Sequence, residues 1–164
     1  MAFKITDPLV GNQPIAVTDT TQNHTLGTIV RAEDPTYGAG EFIYLKGVAS
    51  TAVGSMVDFD PYLATTALSP ATGGVGPVAV AMSANVASQY GWYQIAGVAA
   101  VKAPNAMTAG ADVFSLAATP GSIDDAQVNG EQIVNAKVST TTGTPSTGLA
   151  LIVINRPFHQ GQVV

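Results

Sequence analysis

Cysteine is absent from the 164-residue chain, which excludes disulfides, zinc–thiolate centres and cysteine nucleophiles. Charge is scarce: Lys, Arg, Asp and Glu make up 10% of the residues, against about 25% in an average soluble domain. A monomer that meets water over its whole surface carries more charge than this. The deficit points to a surface partly covered by other subunits, because the cores of oligomer interfaces are poor in Lys, Glu and Asp. The few cations, Lys4, Arg31, Lys46, Lys102, Lys137 and Arg156, stand singly, and the net charge is −5. Nucleic acids and anionic membranes need clustered cations, so neither is an expected partner. No apolar run approaches the roughly 18 residues of a membrane helix. The first eight residues lack the apolar centre of a secretory signal. A soluble protein made in a cytosol is expected, one whose Asn23-His24-Thr25 sequon meets no glycosylation machinery.

What is present favours strands. Apolar residues reach 46%, enough for a sizeable core in one domain of this length. Val and Thr are frequent and Leu, Glu, Lys and Arg are few, which favours pleated strands over helices. With Gly and Pro at short intervals, the pattern reads as an all-β sandwich or barrel. Strands are expected over residues 26–31, 41–49, 56–59, 78–82, 92–102 and 113–116, and a hairpin over 133–139 and 149–154. Loops are expected over 33–40, 60–74 and 120–130, and a loop or short helical turn over 83–91. Arg156-Pro157 should end the last strand. Residues 1–24, with Pro8, Pro14 and isolated apolar side chains, read as an extended N-terminal arm on a single β domain of residues 25–164. Residues 42–49 and 92–99 share an aromatic start and a Gly-Val-Ala end, an internal echo in which glycine would permit a bulge or bend.

Candidate chemistry is thin. The two histidines, His24 and His159, lie far apart in the chain and read as surface polar residues. Asp58 and Asp60 would share a strand face, as in a cation site, but Pro61 makes a strand ending in an Asp turn an equal account. Asp124-Asp125 reads as a solvated loop. Gly38-Ala39-Gly40 precedes a strand instead of opening a helix, which excludes a dinucleotide loop. No GxSxG elbow occurs. No catalytic residue, cofactor or metal is assigned, and the chain is expected not to be an enzyme. Tyr90, Trp92 and Tyr93 would form a sugar-binding platform if exposed; core or interface packing is the favoured reading, because Trp92 opens an apolar strand.

In order, the chain carries Gly-Thr-Ile-Val (27–30), a Gly-Glu-aromatic strand ending Lys-Gly-Val-Ala (40–49) and Gly-Ser-Met-Val-Asp (54–58). Gly-Pro-Val-Ala-Val-Ala (76–81) and Gly-Trp-Tyr-Gln-Ile-Ala-Gly-Val-Ala (91–99) follow. As a set these resemble the capsid cement, or decoration, proteins of tailed bacteriophages, over roughly residues 25–155. The resemblance implies a compact β-barrel or β-tulip-like domain, usually a homotrimer, on the outer surface of the virion head. There it would bridge neighbouring subunits of the major capsid protein. The arm would then add a strand to a capsid sheet edge, with Phe3, Ile5, Leu9 and Val10 as its anchors. The alternatives are another virion β protein (minor capsid or tail-associated) and a carbohydrate-binding module.

Overall fold

A computed structural model describes residues 1, 3–7, 13–69, 74–116 and 118–161. Among them there is no helix, and eleven strands form one antiparallel sheet that is not closed. The strands are β1 (Lys4–Ile5), β2 (Ile29–Asp34), β3 (Gly38–Lys46), β4 (Met56–Phe59), β5 (Thr66–Leu68) and β6 (Val75–Ala81). After them come β7 (Tyr90–Lys102), β8 (Asp112–Ser115), β9 (Ile123–Asp124), β10 (Gln132–Val138) and β11 (Leu149–Gln160). The hydrogen-bonded order is β1-β2-β3-β7-β6-β11-β10-β8-β9, with β4 beside β6 and β5 beside β4.

Local chemistry explains the turns. Asp34 Oδ1 accepts hydrogen bonds from the backbone N–H groups of Thr36 and Tyr37 at 2.8 and 3.0 Å. Gly38 then takes φ +76°, the left-handed step that closes a three-residue hairpin between β2 and β3. Asp60 Oδ1 does the same for Tyr62 and Leu63 at 2.7 and 3.0 Å, turning β4 back toward β5.

The sheet changes partners around the two longest strands. β7 pairs with β3 through residues 90–96, and on its other edge with β6 at Gln94 and Tyr93 and with β11 from Ala96 to Lys102. Gly97 sits at this change with φ +101°. A Cβ there would lie 2.6 Å from the carbonyl oxygen of Ala39, so glycine is required both by conformation and by space. β11 pairs with β7 as far as Asn155 and with β6 from Phe158. Residues 155–157 oppose the single residue Asn135 of β10, because Val134 pairs with Phe158 and Ala136 with Ile154. Arg156-Pro157 therefore bends the strand and does not end it. Proline falls inside a bulge, where no ladder N–H is missed.

The apolar side chains of the sheet gather in three buried clusters. The largest joins Met56, Val78, Val80, Val101, Val113, Ile123, Ile133, Ile152 and Ile154 from seven strands. A second packs Phe3, Ile15, Val30, Phe42, Tyr44 and Trp92 on one face of β2, β3 and β7. A third packs Ile43, Leu45, Val57, Ala79, Tyr93 and Ile95 on the other. Strands apolar on both faces are thus covered on both faces, as expected.

Other expectations shift. The first full strand starts at Ile29, not residue 26, and the strand expected at 78 begins at Val75. The loops of 60–74 and 120–130 contain β5 and β9, and residues 83–89 are bends and turns with no helix. The echo between residues 42–49 and 92–99 does not produce equivalent glycines. Gly97 lies inside β7, whereas Gly47 follows the end of β3.

Candidate functional site

Three arrangements carry the chemistry of the chain. The first is a buried polar cluster built by strand alternation. On β4, Asp58 turns inward where Phe59 turns toward the outer face; on β11, His159 turns inward between the exposed Phe158 and Gln160. His159 Nδ1 lies 2.9 and 3.0 Å from the two carboxylate oxygens of Asp58, and its Nε2 lies 3.3 Å from Ser115 Oγ of β8. Ser69 donates to the same Asp58 oxygen at 2.7 Å. Gly74 leaves room for the ring, since a Cβ there would fall 2.2 Å from Nδ1. The Glu131 carboxyl is buried close by, with neither oxygen hydrogen-bonded. Burial pushes its pKa up, and a charge on His159 opposes that.

The order carboxylate–imidazole–serine is that of a nucleophile relay. Here, however, Ser115 is 2% and His159 0% exposed, so no substrate carbonyl meets Oγ in this conformation. The cluster ties β4, β8 and β11 together. His159 is thus a fully buried residue and not the surface one expected. Asp58 and Asp60 do not converge on a cation: one holds His159 and the other caps a turn. Among the described residues no group of three or more metal-ligating side chains gathers.

The second arrangement fastens the N-terminal segment. Gln13 uses every polar atom it has. Its side-chain amide donates to the Val17 and Tyr90 carbonyls at 2.6 and 3.0 Å. Its Oε1 accepts from Tyr44 Oη at 2.8 Å and Asn23 Nδ2 at 3.1 Å. Its backbone N–H donates to His24 Nε2, and its backbone carbonyl accepts from Trp92 Nε1 at 2.8 Å. His24 in turn stands edge-on to Tyr44, with ring centroids 5.1 Å apart. Trp92 and Tyr93 are fully buried, so neither offers an open face to a sugar. Burial pushes the Tyr93 hydroxyl up to about 12.

Of the expected arm anchors, Phe3 is 8% exposed and packs edge-on against Phe42 at 4.8 Å. Ile5 belongs to β1, opposite Ala32, and packs on the same cluster. Both are held by the chain's own sheet. Leu9 and Val10 lie outside the described residues. Asp124, expected in a solvated loop, is a buried residue of β9 that accepts from Asn105 Nδ2 at 2.7 Å. Beside it, Asp125 is held below the usual carboxylate range by the Thr108 N–H.

The third arrangement is an apolar groove on the outside of the β11 bulge, about 290 Å³ in volume. Ile29, Phe59, Pro61, Pro77, Pro157 and Phe158 are among its lining residues. Ile29 and Phe158 remain well exposed, and beyond Pro61 the turn presents Tyr62, 92% exposed, and Leu63. Arg156 on its edge is paired with Glu41 at 2.8 Å. Sequence reasoning missed this groove because its lining is gathered from β2, β3, β4, β6, β7 and β11, which lie far apart in the chain.

No protein-family model, curated protein or solved structure matches this chain.

Proposed function

We propose that the chain is a structural, non-enzymatic subunit that binds the outer surface of a phage head and bridges its major capsid subunits. The observation that carries this reading is the groove. A chain with little charge leaves Ile29, Phe59, Pro77 and Phe158 beside the exposed Tyr62 and Leu63. Exposed apolar side chains gathered in one groove are commonly covered by a partner. Closure of Ser115 from solvent supports a non-enzymatic role. The single antiparallel sheet with buried side chains on both faces of β3 and β7 is compatible with the barrel-like or tulip-like form that the resemblance implies, and trimerisation is part of the same proposal. In the arm, Leu9 and Val10 stay proposed anchors for the partner. A subunit that binds only the closed lattice stabilises it by mass action, and symmetry makes many weak contacts act together.

The test is electron microscopy of expanded, undecorated heads incubated with the purified protein. Ordered added density at repeated lattice positions is expected. Bare heads at saturating protein would refute the proposal.

A further inference from the structure

One hydrogen bond in the N-terminal segment fixes the protonation state of its acceptor. The Gln13 backbone N–H points at His24 Nε2 from 3.2 Å. A peptide N–H only donates, so Nε2 must offer a lone pair, and the ring is neutral with its hydrogen on Nδ1. An imidazolium carries a hydrogen on both nitrogens. At this contact it would set two donors against each other. The bond matters because Gln13 holds much else. Its carbonyl accepts from Trp92 Nε1, and its side-chain amide reaches the Val17 and Tyr90 carbonyls. Asp19 then bridges to Tyr90, and Asn23 to the Tyr44 hydroxyl.

We propose that His24 is an acid-sensitive latch: its neutral ring holds residues 13–24 against β3 and β7, and uptake of a proton at Nε2 releases them. The surroundings of the ring do not replace the lost acceptor. Tyr44 of β3 stands edge-on to it at 5.1 Å, and Trp92 of β7 lies tilted at 5.3 Å. Tyr90 of β7 stacks on Tyr44. Asp19, bonded to Asn23, brings a carboxylate. The Thr21 N–H and the Asn23 amide hold it below the usual carboxylate range, so it stays ionised while an imidazole titrates. Lys46, two residues beyond Tyr44 on the same face of β3, adds a positive charge. Asp19 and the aromatic rings attract an imidazolium and Lys46 repels it. None of them accepts from the Gln13 N–H, so this contact is the one that goes.

The released state holds one proton more than the latched state. The latch is therefore complete at alkaline pH and is lost as pH falls through the titration of the ring. Leu9 and Val10 precede Gln13 in the same segment, so the consequence for a partner rests on the proposed function. The latch itself is read on the free protein, and the two can fail separately.

The experiment is NMR and amide hydrogen exchange of the full-length wild-type protein from about pH 5 to about pH 8, where an imidazole changes charge. At the alkaline end the His24 ring nitrogens should show the neutral form with its hydrogen on Nδ1. Protection, corrected for intrinsic exchange, should fall with acid at the amides of residues 13, 17, 19 and 90, approaching about tenfold per pH unit. Amides in the β10–β11 ladder should not follow. In His24→Gln, which takes up no proton, the dependence should vanish. Should that variant not fold, the wild-type midpoints decide: loss of protection must track the His24 ring and not His159. A hydrogen on Nε2 at alkaline pH, protection flat in pH, an unchanged dependence in His24→Gln, or a midpoint that tracks His159 would overturn the proposal.

Discussion

Gln13 is the most heavily bonded side chain in the structure's N-terminal segment, and replacing it with leucine tests how that segment is held. Leucine keeps most of the volume and removes both ends of the amide. Four side-chain hydrogen bonds go: two donated, to Val17 and Tyr90, and two accepted, from Tyr44 and Asn23. They are not equal. The Tyr90 carbonyl keeps the Asp19 N–H at 3.1 Å, and Asn23 keeps Asp19 at 2.8 Å. The Tyr44 hydroxyl, on a fully buried residue, loses the Gln13 acceptor to which it donates. An orphaned buried donor costs about 1–3 kcal/mol and an ordinary lost hydrogen bond about 0.5–1.5 kcal/mol net, so Gln13→Leu should cost about 2–4 kcal/mol. Trp92, the single tryptophan, is bonded to the backbone of the same residue. Its fluorescence in urea titrations therefore reports directly on the event. Adding Tyr44→Phe removes the orphan, and the double variant should recover about 1–2 kcal/mol relative to the sum of the singles. A Gln13→Leu cost under about 0.5 kcal/mol, within the range of an indifferent surface change, or strict additivity with Tyr44→Phe, would refute the reasoning.

Three further outcomes follow from the packing. Trp92→Ala should cost about 3–5 kcal/mol, and wild-type Trp92 should emit at the short wavelengths of a buried indole; emission like that of indole in water would contradict its burial. Gly97→Ala should cost about 3 kcal/mol or more by thermal or urea unfolding, because strain at positive φ adds to a clash with the Ala39 carbonyl. Phe3→Ala should lower the melting temperature of the free protein, at the low end of the about 3–5 kcal/mol range for buried phenylalanine. Unchanged melting would show that residues 1–7 are not held until a partner arrives.

The sequence was most legible where its pattern was local. Alternating and doubly apolar runs in β3, β7 and β10 located the strands. The 133–139 and 149–154 hairpin pairs as expected, with Lys137 opposite Val153 and Val138 opposite Ile152. Trp92 was read as a packing residue from its apolar strand alone. What escaped was everything assembled over long separations. His159 and Asp58 are 101 residues apart, and His159 lies beyond a proline that reads as a strand stop. Only the bulge against Asn135 carries β11 past it. Gln13 sits in a proline- and glycine-containing segment without periodicity, so nothing local announces six hydrogen bonds. β1, β5 and β9 are too short for their own pattern to signal them. Their existence depends on the strands they lie against.

We propose that this surface sits against a phage head through the apolar groove. Apolar contacts persist in salt, whereas exposed ion pairs are screened within a few ångströms at about 1 M. The most direct measurement is therefore the occupancy of the protein on expanded heads, by co-sedimentation at low salt and again at about 1 M salt. Saturable binding at a fixed number of copies per head, retained at high salt, is the predicted result. No saturable binding, or binding that disappears as salt rises, would contradict the account.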